Sequence, residues 1–264
     1  MVWAFVMAAV VILIFMSGLF VMAMVLKDNS IADIAYGLVF TAVAWTMTLR
    51  WGAEHPRQTL LLFMVTVWGL RLAVHLFFRK RGKGEDSRYR KWREQWGETF
   101  VIRSFFQVFL LQGFVILIVS SPVVTGIARP GGSLGYLDVL GALLWFLGIF
   151  FEAVGDWQLM AFRRNPANKG RVMTTGLWRY SRHPNYFGEA VLWWGVYLVS
   201  LGSPHAWWTI LSPLTIDFLL LKVSGVPMLE KRYAGNAEFE KYREHTSPFF
   251  PWFPREGKRV RPRE

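Results

Sequence analysis

The feature that most constrains this chain is its first stretch, residues 1–26, which contains no ionisable side chain and is closed by Lys27 and Asp28. A helix needs about 20 consecutive apolar residues to cross a bilayer, so this stretch predicts a membrane-spanning helix. A cleaved signal peptide has a basic segment before a shorter apolar core and a small-residue cleavage site. No basic segment precedes this stretch, and we expect it to remain in the mature protein.

Further apolar runs follow at residues 31–49, 58–78, 104–122, 137–162, 186–202 and 206–229. Such runs, separated by charge-rich loops, predict an all-α integral membrane protein, a polytopic bundle of about seven transmembrane helices. No internal repeat or low-complexity linker divides the chain, so we expect a single membrane domain over residues 1–264. Residues 1–128 would supply the N-terminal helices and a basic loop at 79–103. Residues 129–264 would supply the C-terminal part, with a loop at 163–189 and a cytosolic tail.

The distribution of charge predicts how the bundle is oriented. The chain has 30 Lys and Arg residues against 18 Asp and Glu residues, and the cations concentrate in the two loops just described and in the tail after Glu230. Because cytoplasmic loops carry the excess of Lys and Arg, the N-terminus is expected outside and the C-terminus in the cytosol. Orientation and lipid headgroups explain the net charge of +12, so no nucleic-acid partner is expected. Cysteine is absent, which excludes disulfides and thiolate ligands, and no metal site is predicted.

Ionisable residues inside or near the apolar runs are the first functional candidates, because a charge at membrane depth is costly unless it is paired or faces a polar cavity. They are Asp33, Arg71, His75, Glu152, Asp156, Glu189, Asp217 and Lys222. Glu152 and Asp156 are four apart on one helix face, where two carboxylates repel each other unless a partner intervenes. Structural pairing and ligand binding explain Glu152 equally well, a functional role is favoured for Asp156, and Asp217 is left unassigned.

The segment from Arg163 to the sixth apolar run is basic and punctuated by glycine and proline. Pro184 favours the opening of a helix, whose N-terminal amides and dipole attract phosphate. Asn185 and Glu189 would then lie on the first turns of that helix, at the mouth of a membrane span. The residues alone leave two interpretations open: an anion-binding loop, or a connector whose arginines meet lipid phosphates. His183 is assigned a binding role only.

Long ordered motifs run along the chain: WGLRL at 68–72, GKGEDSRY at 82–89, GDWQL at 155–159, KGRVMTTGLWRYSRHPNYFGE at 169–189, LLKVSG at 220–225 and the closing stretch 242–254. Over most of the chain they resemble the DUF1295 family, which itself looks like a branch of the steroid 5α-reductase C-terminal-domain superfamily. The resemblance implies a seven-helix membrane bundle whose cytosolic loops and C-terminal spans enclose NADPH. It also implies reduction of a carbon–carbon double bond conjugated to a carbonyl, in a lipid-like substrate that comes from the bilayer.

The same resemblance implies which residues contact the cofactor. They are Arg71, Arg81, Lys83, Asp156, Arg163, Lys169, Tyr180, Arg182, His183, Asn185, Tyr186, Gly188, Glu189 and Lys222. Among them, Arg81, Lys83 and Arg163 would neutralise phosphates. Asn185 and Glu189 would address ribose hydroxyls or the nicotinamide amide.

The catalytic residues of the family transfer less completely. Steroid reductases hold the substrate ketone with a Tyr and a Glu, and the position matching that Tyr is Trp68. Trp donates one hydrogen bond but cannot transfer a proton, so another group must act as the donor. By position, Asp33 and Tyr36 near the cytosolic start of the second span are the candidates, with Glu85 and Asp86 behind them.

Two other functions remain open. Membrane methyltransferases that act on isoprenylcysteine or phospholipids also display an RHPxY-type loop before a helix, and they bind S-adenosylmethionine. In those enzymes a paired Glu follows the last span, whereas this chain has the single Glu230, and the GDWQL stretch and residues 169–176 also favour a reductase. A non-catalytic lipid-binding protein is the third possibility, because Trp68 replaces the expected Tyr.

Overall fold

The computed structural model describes residues 1–255. Helix accounts for 78% of the structure, and no strand occurs within these residues. The α-helices are α1 Val2–Leu26, α2 Ile31–Trp51, α3 Pro56–Lys80, α4 Ser87–Trp96, α5 Phe100–Arg103, α6 Leu111–Val119, α7 Ser121–Ala128, α8 Tyr136–Arg164, α9 Pro184–Ser200, α10 Leu211–Phe218, α11 Val226–Arg232 and α12 Ala237–His245. Short 3-10 turns lie at Gly97–Thr99, Pro166–Asn168, Gly176–Arg179 and Ala206–Ile210, and π-helical stretches at Ser104–Leu110 and Leu219–Val223.

Six helical segments in the described part of the chain are long and apolar enough to cross a membrane: Val2–Leu26, Ile31–Trp51, Pro56–Lys80, Ser87–Val119, Tyr136–Arg164 and Ala206–Arg232. The prediction of an all-helical, multi-pass membrane protein is therefore confirmed. The remaining predicted run coincides with α9, which has 17 residues. At about 1.5 Å per residue such a helix is shorter than the roughly 30 Å hydrocarbon core. The number of crossings and the orientation of the termini stay predictions.

The chain divides into two compact units, of which the first comprises Met1–Leu143 with Trp194–Thr215 and the second Leu144–Trp193 with Ile216–Glu264. The predicted N-terminal part, residues 1–128, lies entirely in the first unit. The loop predicted to bind the cofactor, residues 163–189, lies entirely in the second. The organisation as a single membrane domain stays a prediction.

Small residues allow the helices of the first unit to approach closely. Helix α1 buries a stripe of residues four apart, Ala4, Ala8, Ile12 and Met16, and exposes the opposite face. Helices α2 and α3 cross at a pair of glycines, where a Cβ atom on Gly37 would lie 2.5 Å from the carbonyl oxygen of Gly69. Close packing of small residues is a main source of helix association in membranes, where apolar burial between helices contributes little.

A buried arginine joins the first turn of α3 to the first turn of α8 and to nearby loop carbonyls of the first unit. The Arg57 guanidinium donates to both carboxylate oxygens of Asp138, each at 2.8 Å. Its remaining hydrogen bonds go to the backbone carbonyls of Pro130, Gly132, Ser133 and Gly202. Both side chains are almost fully buried, at 2% and 3% exposed, so the paired charges and carbonyl acceptors replace the lost solvent.

The second unit is organised around the crossing of α8 and α9. A Cβ atom on Gly188 would lie 2.4 Å from the backbone nitrogen of Glu152, and one on Gly148 would lie 2.6 Å from the carbonyl oxygen of Gly188. Aromatic packing of Phe151 on Phe187, with ring centroids 5.1 Å apart, adds to the contact. The glycines bring the polar residues of the two helices together.

Candidate functional site

The loop after α8 folds back onto the helix that precedes it. The Trp178 indole donates to the carbonyl oxygen of Gly155 at 3.0 Å, and the Leu177 amide donates to the Gln158 side chain at 2.9 Å. Gly176 has φ of 64°, and a Cβ atom there would lie 2.5 Å from the Gln158 amide group, so this turn favours glycine on both counts. The returning loop is therefore held beside the GDWQL stretch of α8.

An amide and several carboxylates meet where α9 begins. The Asn185 side-chain amide donates to Asp156 Oδ1 at 3.0 Å. Asp156 and Glu152 lie on one face of α8 and are both buried, at 7% and 3% exposed, and Glu189 follows Asn185 by one turn and is half-buried. The structure thus brings together four polar residues that the sequence singled out.

Asn185 Oδ1, the other end of the same amide, is buried and accepts no hydrogen bond from the residues that the structure describes. Buried polar atoms are paired in the great majority of cases, so an orphaned acceptor points to a donor supplied by a ligand or water. Pro184 occupies the first position of α9, where its missing N–H is not needed. Asn185 therefore lies on the first turn of this helix.

The same loop is rich in positive charge. Five cations at the end of α8 and in the segment before α9 are exposed, and none forms an ion pair with a described carboxylate: Arg163, Arg164, Lys169, Arg171 and Arg179. Arginine groups with free N–H donors recognise phosphate through paired, charge-assisted hydrogen bonds. Within residues 1–255, no group of three His, Cys, Asp or Glu side chains could hold a metal ion.

Arg182 is the exception among the cations of the loop, because its donors are used within the protein. It is 7% exposed, and its guanidinium pairs with Glu230 at 2.8 Å and donates to the carbonyl oxygens of Arg243 and Thr246. Arg182 therefore holds the C-terminal segment against the loop. Its predicted contact with a cofactor stays a prediction.

Glu230 is a site residue that the sequence analysis did not select. One carboxylate oxygen accepts from Arg182 at 2.9 Å and lies 3.3 Å from His183 Nε2. The His183 ring stacks on Tyr186 with centroids 5.6 Å apart, and its Nδ1 has no partner among the described residues. A sequence signal did exist: the adjacent Arg182 and His183 call for an acid, and Glu230 directly follows the last apolar run.

Tyr242 closes the same assembly from α12. Its buried hydroxyl donates to the carbonyl oxygens of Trp178 and Ser181. Burial raises the pKa of the phenol above its ordinary value, Arg182 opposes this increase, and Glu230 adds to it. The neutral phenol therefore anchors the tail to the loop.

Three further residues of the predicted cofactor set also lie in the second unit. Gly188 provides the close approach of α9 to α8 described above. Tyr180 packs edge-on against Phe253 with centroids 6.0 Å apart, and its carbonyl oxygen accepts from the Trp252 amide. Lys222 is exposed on the π-helical stretch after α10. Their contacts with a cofactor stay predictions.

The predicted catalytic carboxylates lie in the first unit and are engaged in pairs. Asp33 accepts from Arg88 at 2.7 Å and from the Tyr89 hydroxyl at 2.8 Å. Glu85 accepts from Arg93 at 2.9 Å and from a backbone amide, that of Asn29, at 2.9 Å. The two acids tie α4 to the start of α2, and their part in catalysis stays a prediction.

Trp68 and Tyr36 lie close together in the first unit. Trp68 is 1% exposed, and its ring packs edge-on against Tyr36, with centroids 6.5 Å apart, and against Phe40. Three cations of the predicted cofactor set, Arg71, Arg81 and Lys83, belong to the same unit. Arg71 is half-buried on α3, whereas Arg81 and Lys83 are exposed in the loop that follows.

The connection between α1 and α2 is fixed by an ion pair. Asp28 pairs with Lys80 at the end of α3 and accepts from the amide and hydroxyl of Ser30 at 2.9 and 2.7 Å. Burial alone would raise the pKa of Asp28, but the hydrogen bonds from Lys80 and Ser30 outweigh it, and the pKa lies below its ordinary value.

These features define a multi-pass helical membrane protein with an acid- and amide-lined site beside a basic loop. Residues 19–246 match the family described as "Protein of unknown function (DUF1295)". The match covers most of the chain, so the protein belongs to this family, as its motifs predicted.

Two relatives are similar to parts of the chain. An uncharacterized protein of Schizosaccharomyces pombe is 25% identical over 238 residues, which cover 77% of this chain and 66% of that protein. The probable O-methyltransferase ustE of Ustilaginoidea virens is 36% identical over 62 residues, which cover 24% of this chain and 22% of that protein. The chain thus spans less than two thirds of either relative. No solved structure matches.

Proposed function

We propose that this protein is an NADPH-dependent membrane reductase that acts on a carbon–carbon double bond conjugated to a carbonyl in a lipid-like, steroid-type substrate. The observation that carries the proposal is the arrangement within the second unit. A buried amide acceptor with its carboxylate partner lies beside a loop whose five exposed cations have no described carboxylate partner. NADPH joins hydroxyl and amide donors to phosphates in a single molecule.

The residues present fit such a cofactor. The orphaned Asn185 Oδ1 can accept from the N–H of a carboxamide or from a ribose hydroxyl, and the neighbouring carboxylates of Asp156 and Glu189 can accept from further hydroxyls. The cations of the loop, Arg163 among them, suit the phosphate groups. When bound, NADPH supplies a hydride to the β-carbon of the substrate.

The reaction is balanced by a proton that reaches the α-carbon, so that the double bond becomes a single bond and NADPH becomes NADP⁺. Asp33 and Tyr36 remain the proposed sources of this proton, and Trp68 and Glu85 are the further residues predicted for catalysis. The substrate would come from the bilayer, the apolar solvent that surrounds the spanning helices. By the charge of its loop, the cofactor site would face the cytoplasm.

A specific observation supports methyl transfer as a second candidate. One relative is named a probable O-methyltransferase. In addition, Arg182 and His183 pair with the carboxylate of Glu230, although the methyltransferases have a pair of Glu residues after the last span and this chain has one. S-adenosylmethionine would offer its ammonium and ribose hydroxyls to Asp156 and Glu189, but it has no phosphate for the cations of the loop. The reductase is favoured for this reason. A non-catalytic lipid-binding protein is the remaining alternative.

One labelling experiment separates the three functions. Purified protein in detergent would be incubated with enone steroids and enoyl lipids, once with NADPH deuterated at the transferable position and once with S-adenosylmethionine carrying a deuterated methyl group. Mass spectrometry should find a single deuterium on a reduced product in the first reaction only. A deuterated methyl group in a product would instead establish methyl transfer, and label in neither would favour the lipid-binding alternative.

The proton donor is tested separately, with Asp33→Asn. If Asp33 supplies the proton, this variant should bind NADPH as the wild type does and lose most of its turnover, because general acids contribute roughly 100- to 10,000-fold. Full turnover with normal binding would remove Asp33 from the mechanism and leave Tyr36 as the candidate.

A further inference from the structure

A groove of about 750 Å³ runs along the N-terminal half of α1, in a part of the first unit that the proposed reductase does not use. Val6 and Val10 of α1 form one wall, and Thr46 and Trp51 of α2 form the other. The lining is mainly apolar, and the volume lies in the range of small-molecule sites, roughly 300–1,000 Å³.

The groove opens on the exposed, apolar side of α1. The stripe of α1 that begins at Ala4 and Ala8 is buried against the rest of the unit, whereas Val2, Trp3 and Val10 are exposed on the other face. Helix α1 has no ionisable residue, so this face lies against lipid tails. An occupant could therefore enter from the bilayer without crossing water.

Two arginines stand at one end of the groove. Arg50 is the penultimate residue of α2, and Arg129 directly follows α7. Both are exposed, and neither forms an ion pair with any described residue, nor does the nearby acid Glu54. The Arg50 guanidinium lies 5.4 Å from the centre of the Trp51 ring, which keeps it at the groove.

The apolar walls of the groove and the two arginines at its end suit an amphipathic anion. Guanidinium groups at the ends of spanning helices lie at the depth of lipid headgroups, and their planar N–H donors pair with phosphate oxygens. The apolar walls beyond them suit an acyl chain. We infer that this groove binds one molecule of an anionic phospholipid, with its phosphate between Arg50 and Arg129 and one chain along α1.

Native mass spectrometry of the full-length protein in detergent tests this inference. Phosphatidylglycerol and phosphatidylcholine with identical acyl chains would be titrated into wild-type protein and into three variants. Arg50→Ala with Arg129→Ala removes both cations, and Val10→Trp fills the groove without changing the charge. Arg79→Ala with Arg90→Ala is the matched control, because it removes two exposed cations elsewhere in the first unit that form no ion pair within residues 1–255.

Phosphatidylglycerol should bind the wild type more tightly than phosphatidylcholine does. The double variant at Arg50 and Arg129 should weaken phosphatidylglycerol binding about tenfold or more, as expected when charge-assisted hydrogen bonds are lost. Val10→Trp should weaken it as well, and the control pair should change it less than twofold. Thermal unfolding of each variant shows whether it remains folded.

Three results would overturn the inference. An equal loss in the control pair would reduce the effect to net charge, and normal binding to Val10→Trp would place the lipid elsewhere. Competition by a chain-free glycerophosphate at the same concentration would show that the arginines bind phosphate without the groove.

Discussion

Arg57 shows how a single residue can support a membrane fold. Removing one partner of a buried, hydrogen-bonded ion pair leaves the other charge without compensation, at a cost of about 3–5 kcal/mol. We therefore expect Arg57→Ala to lower the free energy of unfolding by about that amount, measured by thermal or chemical unfolding in detergent. Arg79→Ala, at an exposed cation on the same helix, should change it by at most about 0.5 kcal/mol. Similar losses in the two variants would contradict the structural role of Arg57.

Asn185 carries the proposed cofactor contact. Asn185→Ala removes both the orphaned acceptor and the donor to Asp156, so NADPH affinity should fall by about tenfold or more, since a lost hydrogen bond to a buried group costs about 1–3 kcal/mol. Asn165→Ala is the control, because that asparagine caps an exposed turn of the same loop. Equal affinities in the two variants, measured by equilibrium titration, would remove Asn185 from the site.

Single residues could be predicted from the sequence where the signal lies in their own neighbourhood along the chain. Asn185, Asp156 and Glu189 could be selected because a polar residue at a membrane depth is costly without a role. The pairing of Arg57 with Asp138 could not, because the partners are 81 residues apart and each lies at the start of an apolar run, where a charge is ordinary.

The crossing of α2 and α3 depends on the absence of side chains at two positions. In Gly37→Ala the new Cβ atom would lie 2.5 Å from the backbone carbonyl oxygen of Gly69. This backbone cannot move aside as a flexible side chain could. We expect a loss of about 1–3 kcal/mol in the free energy of unfolding. Gly18→Ala, in open space on α1, should instead be neutral or stabilising by up to about 1 kcal/mol. Equal effects would show that the close crossing does not limit stability.

The link between α1 and α2 should make stability depend on pH. The pKa of Asp28 is lowered in the folded state, so its contribution is complete above the ordinary carboxyl value of 3.8 and is lost as the pH falls through the lowered folded value. The unfolding temperature of the wild type should therefore exceed that of Asp28→Asn at about pH 6, and the difference should shrink below pH 3.8. A difference that is the same at both pH values would show that Asp28 does not titrate in this way.

Long apolar helices are the elements that sequence predicts best, because an uncharged run of about 20 residues has few other stable solutions. Residues 1–26 became α1 almost residue for residue. The π-helical stretches at Ser104–Leu110 and Leu219–Val223 had no such signal, since they arise where packing shifts the hydrogen-bond register inside an otherwise regular apolar run.

For the whole molecule, the family follows from the order of the motifs along the chain, and the helical membrane class follows from hydropathy. The activity depends on a few side chains. A shared fold hosts different chemistries, so belonging to this family does not choose between hydride and methyl transfer. The proposed choice rests on charge: the five exposed cations of the basic loop suit the phosphates that NADPH carries and that S-adenosylmethionine lacks.

Ligand choice by the wild-type protein is therefore the most direct test. Purified protein would be titrated separately with NADPH, NADH and S-adenosylmethionine, and its unfolding temperature followed, because a ligand that binds only the folded state raises it. We predict a saturable increase with NADPH and none with S-adenosylmethionine. An increase with S-adenosylmethionine and none with NADPH would contradict the proposed reductase.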